Sequence, residues 1–292
     1  MEERDKPMKD NICMVTGATS GVGEVTAQVL AQQGATVIIV GRNPEKGATT
    51  VSQIKQQTGT STVEFILADL SSQQAIHQLV EQFKRRYQRL DVLVNNAGAS
   101  FRKRQNSVDG IEMTFALNHL GYFLLTNLLL DTLKSSAPAR IVNVSSGEHK
   151  RVKLNFDDLQ AKQKYSSYRA YKQSKLCNIL FTYELTRRLE GTDVTVNAVT
   201  PGLVKTKLGL EDGGFPAIMK RLINFLAGKS PEEGAKAIIY LATSPDVEGV
   251  TGKYFVKQEA VPSSNDSYDK DIARRLWQVS AKLTRLSVDD VP

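Results

Sequence analysis

Two tyrosine–lysine pairs in one stretch of the chain are able, by residue type and spacing, to transfer a proton. Tyr171 precedes Lys175 by four residues and Tyr168 precedes Lys172 by four, so a helix would stack each lysine beside its tyrosine. A free tyrosine, with a pKa of about 10, exchanges protons poorly at neutral pH. A neighbouring ammonium favours the phenolate and lowers that pKa, which suits a general acid or base for interconverting a carbonyl and an alcohol. Spacing alone also fits an ordinary surface pair.

A glycine-rich turn follows the first apolar run, in the sequence TGATSGVG of residues 16–23. Gly17 would permit a tight turn, Gly21 the close approach of a pyrophosphate, and Gly23 close packing of the next helix against the sheet. That helix would offer its N-terminal N–H groups to phosphates. A strand, turn and helix near the chain start predict a dinucleotide site, although such a turn alone also fits a surface loop. Its predicted cofactor-binding residues are Thr16, Gly17, Ser20, Gly21, Val22 and Gly23.

The residue after the second predicted strand indicates which dinucleotide is bound. A carboxylate there would bind the ribose 2′-hydroxyl of NAD, whereas an arginine accommodates the 2′-phosphate of NADP. The sequence has Gly41-Arg42-Asn43 at this point. Because Arg42 can offer a planar fork to a phosphate, NADP(H) is the predicted cofactor. A solvated surface arginine is the alternative interpretation.

Alternating strands and helices must position these groups. The apolar, Val/Ile-rich strands are typical of a parallel sheet covered on both faces, so we predict a single doubly wound (Rossmann) α/β domain over residues 1–292. It includes a substrate-loop region at 202–229 and a C-terminal extension at 257–292. The predicted strands are 11–16, 36–40, 63–67, 92–95, 141–145, 194–199 and a last one at 253–256. The predicted helices are 21–33, 43–57, 72–87, 110–134, 168–190, 230–243 and 271–286.

Composition excludes several other classes. The chain has 292 residues and a net charge of +7, with basic residues interleaved with acids, so we expect an attraction for an anionic cofactor and no nucleic-acid site. The two cysteines and three histidines show no metal-ligand spacing. The polar start lacks a signal peptide or apolar anchor, and the apolar run 120–133 is too short to span a bilayer. We therefore expect a cytoplasmic protein without an integral membrane anchor or a metal.

The whole chain resembles the short-chain dehydrogenase/reductase family. Six motifs stand in the family's order: residues 16–23, Asp69-Leu70, Asn95-Asn96-Ala97-Gly98, the strand ending in Ser145-Ser146, Tyr171 to Lys175, and Pro201-Gly202. The resemblance implies an NADP-dependent oxidoreductase. It also implies further cofactor contacts from Asp69, Leu70, Asn96, Ala97, Gly98, Tyr171, Lys175, Pro201, Gly202, Val204 and Thr206.

The resemblance also assigns catalytic roles. The family places a small residue before its lysine, and Ser174 fits, so Tyr171 and Lys175 are implied as the catalytic pair while Tyr168 is a pocket or packing residue. Ser146, the second serine of its pair, would hold the substrate oxygen. Asn118 would hold a water of the proton relay, although a buried, backbone-bonded asparagine is the alternative.

Segments at 108–112, 118–126, 136–146, 175–185 and 252–255 resemble the retinol-dehydrogenase-like branch of that family, whose membrane-bound members carry an N-terminal anchor. The implied substrate is a hydrophobic, retinal-like or other lipophilic aldehyde, ketone or alcohol. Two alternatives stay open: an enzyme similar to the light-dependent protochlorophyllide reductases, because of Cys177, and a non-catalytic dinucleotide-binding sensor or scaffold. The resemblance also allows a homodimer or homotetramer through helices 110–134 and 168–190. Region 202–229 would close an apolar pocket or pack in the core with Phe215, Ile218, Met219, Leu222 and Phe225.

Overall fold

The computed structural model describes residues 7–202 and 230–286, in which eight strands form one sheet with the order β3-β2-β1-β4-β5-β6-β7-β8. The first seven strands run parallel, and only β8 is antiparallel to its neighbour. The strands are Ile12–Thr16 (β1), Thr36–Gly41 (β2), Val63–Leu67 (β3), Val92–Asn95 (β4), Ala139–Val144 (β5), Val194–Thr200 (β6), Tyr254–Val256 (β7) and Glu259–Val261 (β8).

Helices cover both faces of this sheet. They are Gly21–Gln32 (α1), Pro44–Thr58 (α2), Gln73–Arg86 (α3), Met113–Ser135 (α4), Ser167–Arg188 (α5), Pro231–Thr243 (α6) and Lys270–Thr284 (α7). Alternate strand residues enter opposite cores: Met14 packs in the cluster with α3 and α4, and Val15 in the cluster with α1 and α6. The predicted doubly wound α/β fold is thus confirmed, and no predicted end moves by more than three residues.

Strand β8 corrects the prediction that 253–256 is the last strand. After β7 the chain turns back through Lys257, which has a φ of +57°, and Val256 pairs with Glu259 across the turn. The strand is short and mostly exposed, so it lacks the apolar pattern that identifies a buried strand. The Lys257-Gln258 turn also lacks the usual Asn-Gly or Asp-Gly hairpin signal.

Helix α4 begins at Met113 rather than at the predicted residue 110. The Glu112 carboxylate accepts hydrogen bonds from the backbone N–H groups of Thr114 (2.9 Å) and Phe115 (2.8 Å), which fixes the helix start. A π-helical turn, Ala116–Leu120, interrupts the helix. By length and composition α4 could cross a membrane, with a mean hydropathy of 1.3, but 78% of that window is buried in the fold. The expected absence of a membrane anchor and the cytoplasmic location stay predictions.

The C-terminal helix α7 packs against α5 and α4. The Trp277 ring lies 4.9 Å from that of Phe123 and 5.8 Å from that of Phe181, and the Arg188 guanidinium lies 4.3 Å from the indole. Helix α7 therefore covers part of α4 and α5, the two helices through which the resemblance allows a homodimer or homotetramer. A contact between copies through this part of the molecule would also involve α7.

Candidate active site

The glycine turn and the Asn95–Gly98 loop are joined at the carboxyl ends of two adjacent strands, β1 and β4. The Thr16 hydroxyl donates to the Val94 carbonyl (3.2 Å) and accepts from the N–H groups of Asn96 (2.8 Å) and Ala97 (3.0 Å). The Asn96 amide donates to the carbonyl oxygens of Thr16 (2.9 Å) and Gly17 (3.2 Å). These two side chains therefore shape the predicted cofactor site from within. Strand order reverses here, which is where open α/β sheets bind their ligands.

Two glycines of the turn leave no room for a side chain. Gly17 has a φ of +64°, and a Cβ there would lie 2.7 Å from the Ala97 Cα. A Cβ on Gly23 would lie 2.5 Å from both the Asn96 amide nitrogen and the Gly17 carbonyl oxygen. Gly23 thus packs helix α1 against the turn itself, whereas the sequence suggested packing on the sheet. Gly21 also needs a positive φ, at +62°.

The N-terminus of helix α1 is open to a ligand. Its N-cap residue Ser20 makes no side-chain capping bond. The other six described helices are capped by side chains, those of Asn43, Ser72, Glu112, Ser166, Ser230 and Asp269. Uncapped N–H groups beside a glycine turn form an anion site, so this part of the structure fits the pyrophosphate of a dinucleotide.

Arg42 and Asp69 follow neighbouring strands at the same edge of the sheet. The Ala68 N–H donates to the Gly41 carbonyl at 2.9 Å, so β2 and β3 end side by side. Arg42 is exposed, where a 2′-phosphate would lie, and Leu70 is buried. The Asp69 carboxylate accepts from the Ser71 N–H (2.9 Å) and hydroxyl (2.7 Å), which fixes its orientation.

Helix α5 brings the predicted catalytic lysine under the same edge. Lys175 is buried, and its ammonium donates to the Val144 carbonyl at 2.9 Å. A Cβ on Gly98 would lie 3.5 Å from the Lys175 Nζ and 3.3 Å from the Asn118 Oδ1, so the three residues are neighbours. Burial lowers the pKa of Lys175 to about 7.

The structure corrects the expectation that Lys175 lowers the pKa of Tyr171. Burial raises the pKa of Tyr171 to about 12, the interaction with the Ser146 hydroxyl lowers it, and the Glu148 carboxylate raises it further. The Lys175 ammonium lies 5.8 Å from the centre of the Tyr171 ring, and burial favours its neutral form. In this arrangement the tyrosine therefore keeps its proton at neutral pH.

The two adjacent serines after β5 have different surroundings. Ser145 donates its hydroxyl to the Lys175 carbonyl at 2.8 Å and is buried, as expected for a strand-end residue. The Ser146 hydroxyl accepts weakly from the Glu148 N–H at 3.3 Å and interacts with the Tyr171 hydroxyl. The structure thus brings together Ser146, Tyr171 and Lys175.

Asn118 lies in the π-helical turn. Its side chain is buried, and both its amide oxygen and its amide nitrogen form hydrogen bonds. Its Oδ1 accepts from the Ala99 N–H (2.9 Å), and its Nδ2 donates to the Ala99 carbonyl (2.9 Å) and the Ser174 hydroxyl (3.0 Å). Asn118 therefore joins Ala99, the residue after the Asn95–Gly98 loop, to helix α5. Its expected part in a water relay stays a prediction.

Tyr168 forms a separate group at the rim of the site. Its hydroxyl donates to the Glu148 carboxylate, and the Lys172 ammonium lies 4.0 Å from the centre of its ring. This agrees with the interpretation that Tyr168 is a pocket or packing residue. Glu148 was not predicted, because one glutamate in a loop has no spacing that indicates its position beside two tyrosines.

The remaining predicted site residues are partly described. Pro201 and Gly202, with a φ of +79°, follow β6 beside β5. Val204, Thr206 and region 202–229 beyond Gly202 lie outside the described residues, as do the apolar residues predicted there. Cys177 is fully buried in an apolar cluster, where burial raises the pKa of its thiol, as expected of a small hydrophobe. Among residues 7–202 and 230–286, no three His, Cys, Asp or Glu side chains form a metal site.

The sheet, the uncapped helix and the meeting of Ser146, Tyr171 and Lys175 fit an oxidoreductase that uses a nicotinamide dinucleotide. The model of the short-chain dehydrogenase family matches residues 11–212, and the chain belongs to that family. It is 44% identical to polyprenol dehydrogenase of Homo sapiens over 284 residues, which are 95% of this chain and 86% of that protein. It is 42% identical to retinol dehydrogenase 14 of Homo sapiens, over 96% and 88% of the two chains.

A solved structure supports the cofactor. A short-chain dehydrogenase from Escherichia coli CFT073 in complex with NADPH is 26% identical, has a TM-score of 0.67, and aligns over 87% of this chain and 99% of its own. The predicted recognition of NADP(H) is confirmed at the level of the family and its structural neighbours. The protein is therefore an NADP(H)-dependent oxidoreductase of the retinol-dehydrogenase-like type.

Proposed function

We propose that this enzyme reduces a lipophilic aldehyde or ketone to the alcohol, or catalyses the reverse reaction, with Tyr171 as the general acid or base. The observation that carries the proposal is the meeting of the Ser146 and Tyr171 hydroxyls beside Lys175, at the strand ends where the glycine turn lies. The names of two relatives, which refer to polyprenol and retinol, indicate an alcohol on a long apolar chain. A substrate of that class fits the proposal.

When NADPH is bound, its nicotinamide supplies a hydride to the carbonyl carbon. The Ser146 hydroxyl holds the carbonyl oxygen, on which negative charge develops. Tyr171 donates its proton to that oxygen, and the raised pKa of its phenol keeps the proton in place at neutral pH. Lys175, with a pKa of about 7, gains and loses a proton near neutral pH, and it returns a proton to Tyr171. Asn118 fixes the position of helix α5, which carries Tyr171 and Lys175, relative to Ala99 through its hydrogen bonds to Ala99 and Ser174.

A series of substrates tests the lipophilic part of the proposal. Each additional buried methylene contributes about 0.8 kcal/mol, roughly a fourfold gain in kcat/KM, until the pocket is filled. We expect NADPH oxidation to become faster along a series of straight-chain aldehydes and to remain fast with retinal and a polyprenal. Short charged keto acids should react poorly. Binding of NADPH without oxidation by any of these carbonyls would favour the sensor or scaffold alternative.

Glu148 should determine where the reaction loses activity at high pH. Its carboxylate raises the pKa of Tyr171, so Glu148→Gln should lower that pKa. Reduction needs protonated Tyr171. Because Lys175 already loses its proton near pH 7, the effect falls on the second decline in kcat/KM, towards the Tyr171 pKa of about 12, which should begin at lower pH in the variant. Glu148→Asp, which keeps the charge, serves as the control. A decline that stays at the wild-type pH in Glu148→Gln would exclude this influence on Tyr171.

A further inference from the structure

His149 forms a bridge between the catalytic serine and the C-terminal part of the chain. It lies fully buried in the short 3₁₀ turn Gly147–Arg151, which begins directly after Ser146. Its Nδ1 is 2.7 Å from the Ser146 carbonyl oxygen, and its Nε2 is 3.2 Å from the Ser264 backbone nitrogen. The ring also meets that of Tyr254, on β7, edge to face at 4.8 Å.

The two backbone partners determine the protonation of the ring. A carbonyl oxygen only accepts, so Nδ1 must carry a hydrogen, and a backbone N–H only donates, so Nε2 must be bare. Only the neutral Nδ1–H tautomer satisfies both bonds. Burial favours this neutral state, because it lowers the pKa of His149.

The far end of the bridge is itself held by the catalytic helix. The Ser263 hydroxyl lies 2.7 Å from the Tyr183 hydroxyl on α5, and also 2.7 Å from that of Ser267. The Ser263 N–H donates to the Tyr268 hydroxyl at 3.0 Å. Segment 263–268 thus connects His149 to the helix that carries Tyr171 and Lys175.

We propose that His149 is a positioning residue that sets the place of the Ser146 hydroxyl relative to Tyr171, using segment 263–268 as its anchor. The proposal rests on the function proposed above. The backbone carbonyl of Ser146 accepts two hydrogen bonds from His149, one from the ring Nδ1–H and one, at 3.1 Å, from the backbone N–H. A displacement of a reacting group by 1 Å can cost about a hundredfold in rate, so a modest loosening of this turn has a measurable effect.

Three variants test the bridge. His149→Phe keeps an aromatic ring against Tyr254 and removes both hydrogen bonds, and we expect it to lower kcat about tenfold, short of the hundredfold cost of a full 1 Å displacement. The dissociation constant of NADPH should not change. His149→Asn keeps an N–H donor near the Nδ1 position and should recover part of the lost kcat. Ser264→Pro removes the backbone N–H that donates to Nε2 and should also lower kcat. Ser264 has a φ of −76°, which proline can adopt.

Ser264→Ala is the matched control, because it keeps the backbone N–H and removes a hydroxyl that has no partner among the described residues. It should behave as the wild type. Wild-type kcat in both His149→Phe and Ser264→Pro would overturn the bridge while leaving the proposed function intact. If His149→Phe does not fold, Ser264→Pro decides. If the wild-type protein reduces no carbonyl, the proposed function is refuted instead. Nitrogen-15 NMR of the His149 ring then tests the Nδ1–H tautomer independently of activity.

Discussion

Replacing Tyr171 by phenylalanine should lower kcat for carbonyl reduction by about 10²- to 10⁴-fold, the range that general acid catalysis supplies. The variant keeps the ring and removes only the hydroxyl that meets Ser146. Because the glycine turn and the α1 N-terminus are unaltered, NADPH should bind with nearly its original dissociation constant. Steady-state kinetics and a direct binding titration measure the two quantities.

Tyr168→Phe is the matched control, since it removes the hydroxyl of the other tyrosine on the same helix face. That hydroxyl bonds to Glu148 at the rim of the site, so its loss should leave kcat close to the wild-type value. If Tyr168→Phe abolished turnover and Tyr171→Phe preserved it, the assignment of the acid would be reversed.

Arg42→Ala should weaken NADPH binding by about 10- to 100-fold and leave the weaker binding of NADH unchanged. The guanidinium is exposed just after β2, where a 2′-phosphate lies in this fold. A hydrogen bond to a charged group contributes about 1.5–3 kcal/mol, which corresponds to that change in the dissociation constant. Calorimetric titration with both dinucleotides measures the effect.

Arg85→Ala controls for the loss of one positive charge, because Arg85 is an exposed arginine on α3 paired with Glu81. It should change neither dissociation constant. Equal weakening of NADPH and NADH in Arg42→Ala, or the same loss in Arg85→Ala, would show that Arg42 does not recognise the 2′-phosphate.

The parts of the site that follow directly from local sequence could be predicted. Gly17 adopts the positive φ that the tight turn predicted from the motif requires, whereas the motif assigns Gly21 to the close approach of a pyrophosphate and does not predict its positive φ. Tyr171 and Lys175 share a helix face through their spacing alone. Sequence patterns also identify the parallel strands, whose apolar residues enter both cores.

What the sequence could not predict depends on contacts between distant segments. The raised pKa of Tyr171 comes from burial and from Glu148, neither of which a spacing of four residues reveals. His149 meets Ser264, which lies 115 residues further along the chain. Asn118, in the π-helical turn, forms side-chain hydrogen bonds to Ala99 and Ser174, which lie 19 and 56 residues away along the chain. Long-range hydrogen bonds of this kind leave no periodic pattern.

Hydride transfer from NADPH to a carbonyl carbon is tested most directly with NADPH that carries two deuterium atoms at C4 of the nicotinamide. The wild-type protein is mixed with this cofactor and a long-chain aldehyde, and the alcohol is analysed by mass spectrometry. We expect one deuterium in each molecule of alcohol, bound to the carbinol carbon. Alcohol without deuterium, or bound cofactor with no alcohol formed, would contradict it.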